Sequence, residues 1–89
     1  MLVLPAELTH AQATACLHML VQGLRAQSGP TVVVDATALS RFDSSALAVL
    51  LEFRRESLAG GKSFAIRGLS PRLSDLAGLY GIAELLPSV

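Results

Sequence analysis

The residues best placed to do chemistry form one short run, Arg41-Phe42-Asp43-Ser44-Ser45-Ala46-Leu47-Ala48. A carboxylate is followed by two hydroxyls, after a β-branched segment and before an apolar one. Asp and Ser are favoured N-cap types, so the run reads as a helix start. A hydroxyl there stands beside unpaired backbone N–H groups and the positive end of a helix dipole. A phosphate on either serine would add about −1.5 to −2 charge, which the helix end favours and Asp43 opposes. Asp-Ser-Ser also serves simply as a cap. What raises this run above the other helix starts is its position after the carboxyl end of a strand, where open α/β sheets meet ligands and partners.

The other polar residues assemble no reaction centre. His10 and His18 stand eight apart, with no acidic residue or cysteine completing a ligand set. Both read as solvated helix residues. Cys16 is the single cysteine, so no intramolecular disulfide forms; it reads as a small apolar residue on a buried helix face. Gly60-Gly61-Lys62-Ser63 lacks the first glycine of a phosphate loop and precedes a strand rather than a helix. No Gly-x-Ser-x-Gly elbow surrounds Ser44 or Ser45. Nothing in the sequence places a Ser-His-Asp set together. The expectation is a protein with no catalytic residue, cofactor or metal.

The elements that would position the run follow from periodicity. Leu2 to Leu4 reads as a strand stopped by Pro5. Thr9-His10-Ala11-Gln12 fits a capping box. Behind it Ala13, Cys16, Leu17, Leu20, Val21 and Leu24 make one helical stripe, ended by Ser28-Gly29-Pro30. Thr31 to Val34 is β-branched throughout and reads as a central strand covered on both faces. Asp35 to Phe42 is expected to be a loop. Ala46 to Leu58 reads as a second helix, apolar nearly all round in its first two turns and closed by Gly60-Gly61. Lys62 to Arg67 is the next strand, with Phe64 and Ile66 on one face. Ser70 and Pro71 open a third helix as N-cap and N1. Its apolar face is expected at Leu73, Leu76, Ala77 and Tyr80, with Gly81 at its end. Ile82 to Leu86 is a last strand or a helical turn. This β-α-β-α-β-α order predicts an α/β domain with a mostly parallel sheet and right-handed crossovers.

Composition excludes several classes. The 89 residues carry seven Lys+Arg and seven Asp+Glu. Such neutrality opposes a nucleic-acid-binding face and a polybasic membrane anchor. Hydrophobic residues are 52%, too many for disorder. With three Phe, one Tyr and no Trp, a base-stacking platform is not expected. The N-terminus lacks a basic region ahead of a long apolar one, so a cytosolic protein is expected. The longest apolar run, Ala46 to Leu51, is far below the ~20 residues of a membrane span, so no membrane insertion is expected.

The chain resembles the STAS domain family. Members carry a Val-rich strand ending in Asp, then about eight residues, then Asp-Ser-Ser-Gly-Leu-Gly. Here Val32-Val33-Val34-Asp35 precedes Asp43-Ser44-Ser45-Ala46-Leu47-Ala48, with Ala46 and Ala48 in place of glycines. The likeness continues through Gly60-Gly61-Lys62, the strand to Arg67 and Ser70-Pro71. Leu76-Ala77-Gly78-Leu79-Tyr80-Gly81-Ile82 is most similar to the branch formed by MlaB, the small STAS subunit of the Mla phospholipid-transport ABC complex. The resemblance implies one STAS-like domain over residues 1–89, its first family strand short or missing. It implies a non-enzymatic accessory subunit, cytoplasmic and held at the inner membrane through its partner, the ABC transporter ATPase. Arg41, Asp43, Ser44, Ser45, Ala46 and Leu47 would form the partner-binding or switch segment. The alternative is an anti-sigma factor antagonist, whose partner is an anti-sigma kinase and whose phosphorylated serine corresponds to Ser44. A short first strand would also leave a sheet edge exposed, through which two copies could pair.

Overall fold

A computed structural model describes residues 2–89. Leu2–Val3 is strand β1, and Pro5 follows it closely. Glu7–Leu8 is β2, and Ala13–Arg25 is helix α1. Thr31–Asp35 is β3, Arg41–Phe42 is β4, and Ser44–Ala59 is α2. Ser63–Arg67 is β5, Pro71–Leu79 is α3, and Ala83–Leu85 is a 3-10 turn. The main sheet has the order β1-β3-β5, every pair parallel, in register Leu2–Val34 and Val34–Ile66. Beyond β5, Ser88 forms a parallel bridge to Ile66. The expected α/β order and parallel sheet are therefore present. Of the two alternatives for Ile82 to Leu86, the helical turn is present, and the bridge at Ser88 lies beyond that segment.

Two expectations need correction. The β3 strand is central, but only one of its faces is well covered. Val32, Val34, Phe64 and Ile66 point into the core, whereas on the other face Thr31, Ser63 and Arg67 are exposed, Val33 is half-buried and the small Ala65 is buried. The sheet grows in one direction along the chain, so right-handed crossovers place successive helices on the same side. The second correction concerns 35–42, which is not loop to its end. Its last residues, β4, pair in parallel with β2, as Glu7–Arg41 and Leu8–Phe42. Leu8 and Leu39 are thereby buried next to the start of α2.

The core lies between the sheet and the three helices. Phe53 at its centre is fully buried and meets Phe64 edge-on, with ring centroids 6.1 Å apart. Ser57 is buried one turn later and stays satisfied by donating its hydroxyl to the Phe53 carbonyl at 2.9 Å. Cys16 and Leu20 bring α1 onto the same core. Cys16 is buried as expected, and burial pushes its thiol above the ordinary range. At Gly23 the helix passes so close to β1 that a Cβ would collide with the Leu2 side chain. A mid-helix glycine costs about 1 kcal/mol of propensity relative to alanine. Here it lets α1 pass close to β1, and an added Cβ would have to push aside the end of the Leu2 side chain.

Candidate functional site

The Asp43-Ser44-Ser45 run caps α2. Asp43 is the N-cap, in extended conformation (φ −129°, ψ −168°). One carboxylate oxygen accepts the Ser45 N–H at 2.8 Å. The other accepts the His10 N–H at 3.1 Å, across 33 residues of chain. The Ser45 N–H, followed by that of His10, holds the Asp43 carboxyl below the usual aspartate range. Because Asp43 does the capping, Ser44 stands at the first helical position and is exposed.

His10 belongs to the turn ahead of α1, and that turn is itself braced. The expected Thr9–Gln12 box is half formed. The Gln12 carboxamide oxygen accepts the Thr9 N–H at 2.8 Å and the Thr9 hydroxyl at 2.7 Å, so the hydroxyl does not cap the helix. The Gln12 Nε2 donates to Glu7 at 2.7 Å. Glu7 faces Arg41 at 3.6 Å, an exposed ion pair of small energetic worth. Turn, β2, β4 and the α2 start thus form one connected corner.

On the other side of Ser44 the surface turns apolar. Ser44, Leu47, Ala48 and Leu51 of α2 form one wall of a shallow groove of ≈ 270 Å³, and Tyr80 and Ile82 form the other. The far wall is placed by the end of α3. Gly81, at φ +71°, closes the helix by donating its N–H to the Gly78 carbonyl, while Ile82 donates to that of Ala77. This is a Schellman arrangement, which needs a left-handed residue at that point. Ser70 and Pro71 start the same helix as expected, the Ser70 hydroxyl accepting the Leu73 N–H at 3.2 Å. The expected stripe of α3 holds at Leu73 and Ala77, each 1% exposed, but not at Tyr80. Tyr80 is 61% exposed and the adjoining Leu79 85% exposed, because the helix runs past the core before it ends.

The candidate residues therefore divide. Ser44 and Leu47 line the groove. Asp43 and Ser45 build the cap beside it. Arg41 lies on β4, paired with Glu7. Ala46 is completely buried, so its role is packing rather than contact. Sequence reasoning passed over Leu51, Tyr80 and Ile82 as groove residues. The all-round apolar first turns of α2 were the available signal, since one side of that helix has no sheet to cover it. No helix among the described residues is long and apolar enough to cross a membrane.

Comparison with known proteins adds one finding. A family model described as "Mlab, STAS domain" matches residues 1–87. No curated protein matches the chain.

Proposed function

The chain belongs to the STAS domain family described as Mlab, STAS domain, and on that premise we propose that it is a non-enzymatic accessory subunit of an ABC phospholipid transporter. It docks on the transporter's cytoplasmic ATPase through the start of α2 and steadies that ATPase in its working assembly. The observation that carries this reading is the groove beside Ser44. It is apolar and open, and the exposed Tyr80 forms part of its wall. Aromatic anchors of this kind supply much of the energy of protein interfaces. The groove is shallow and holds about 270 Å³. It suits a side chain of a protein partner.

Co-purification with the ATPase of a Mla-type transporter tests the proposal. Ser44→Asp puts a charge at the contact and should lower captured ATPase about tenfold or more, while Ser44→Ala should have a smaller effect. Tyr80→Ala should weaken capture by a comparable factor. Equal capture by wild type and Ser44→Asp would sink the proposed contact. The exposed Ser44 at a helix start also supports the second reading, an antagonist switched by an anti-sigma kinase. Incubation with such a kinase and ATP separates the two, because that reading requires a phosphate on Ser44 in the intact mass.

A further inference from the structure

A second groove lies between α1 and α2, away from Ser44. It is ≈ 620 Å³ in volume, with Leu17 and Val21 of α1 at its floor. Its two walls differ in charge. The α1 wall carries His18 and Arg25, and α1 contains no acidic residue at all. The α2 wall carries Glu52 and Glu56, with Arg55 paired to Glu52 at 3.0 Å. Among the described residues, neither Arg25 nor Glu56 takes part in an ion pair, although both line this groove.

We infer that this groove is a self-association surface whose occupant is a second copy of the same chain, with Arg25 of each copy set against Glu56 of the other. The two walls are complementary in charge to each other. The helices run side by side in the same direction, since each connects one parallel strand to the next. A two-fold axis parallel to them, lying over the groove, places α1 of each copy above α2 of the other. The basic wall then meets the acidic wall twice, and Leu17 and Val21 of both copies line the space enclosed between them. An isologous interface requires this reciprocity. The β1 edge is a weaker candidate, because the strand has only two residues and Pro5 lies just beyond it. The groove near Ser44 lies towards the other end of α2, so an ATPase and a second copy need not compete.

Charge reversal tests this directly. In sedimentation equilibrium the wild type should form dimers, and Arg25→Glu or Glu56→Arg alone should each weaken self-association about tenfold or more. Each single variant places like charges at both symmetric contacts. An equimolar mixture of the two restores opposite charges at both, so dimers should return. Both positions are exposed, and circular dichroism checks that the variants fold. A wild type that stays monomeric at its highest soluble concentration overturns the inference. So does a dimer that neither reversal weakens, or one that the mixture fails to restore. ATPase capture by Arg25→Glu should match that of the wild type, which separates this surface from the one at Ser44.

Discussion

A single carboxylate, Asp43, joins two parts of the chain that the sequence keeps far apart. It accepts one N–H from its own helix and one from the turn ahead of α1. Both bonds favour the ionised form, so its folded pKa lies below the usual value. The sign of the pH dependence follows. The stabilisation is fully present above the unfolded pKa, about 3.9 for an aspartate, and is lost as pH falls through the lowered folded value. Asp43→Asn should therefore melt at a lower temperature than wild type near neutral pH. The gap should begin to narrow below about pH 4 and close as pH falls through the lowered folded value, where the wild-type carboxylate also becomes neutral. Differential scanning calorimetry at both pH values checks this; a gap independent of pH would mean that the charge contributes nothing. Asp35 is lowered in the same sense by hydrogen bonds from Thr37, but it is common to both proteins and cancels in the comparison.

Among the elements, α3 ends where its backbone changes hand, and that turn builds one wall of the Ser44 groove. Among the described residues nothing lies within 4 Å of the place where a Cβ on Gly81 would sit, so Gly81→Ala tests backbone conformation without steric crowding. A left-handed alanine costs about 1–2 kcal/mol. The variant should lose about that much stability in urea titration and should also capture less ATPase, because Tyr80 and Ile82 shift with the turn. Gly81→Asn should lose less, since asparagine tolerates this conformation better. Ser70-Pro71 and Gly81 made both ends of α3 legible in the sequence, because each end depends on particular residue types. The exposure of Tyr80 was not legible, since periodicity tells which way a side chain faces but not where the core stops. Strands β2 and β4 were hidden for another reason: two residues apiece are too few to show alternation. The open side of β3 was masked by a run of valines, which looks the same whether one face or two are covered. The Asp-Ser-Ser segment was legible as a helix start, while its tie to His10 depends on a contact 33 residues away that no local pattern announces.

For the whole molecule, a small core leaves little margin. A chain of this length has a stability of roughly 4–13 kcal/mol at about 0.05–0.15 kcal/mol per residue. Phe53→Ala removes the ring at the centre of that core and should cost about 3–5 kcal/mol. Much of the stability would go, and urea titration should find the variant marginally folded. An unchanged midpoint would mean that the core is organised around another residue. The order of the sheet bears on a different property. Leu2, Val34 and Ile66 stand side by side in neighbouring strands, 32 residues apart in each step, and Ser88 follows beside Ile66. No connection skips a strand of this sheet or doubles back. Each pairing closes a loop of similar size, with a helix available to shorten it. The two strand pairings are thus equal steps between chain neighbours, an arrangement that keeps the loop-closure entropy of a parallel sheet low. A chain docking its strands in sequence order would meet, at each step, an edge left by the strand before it.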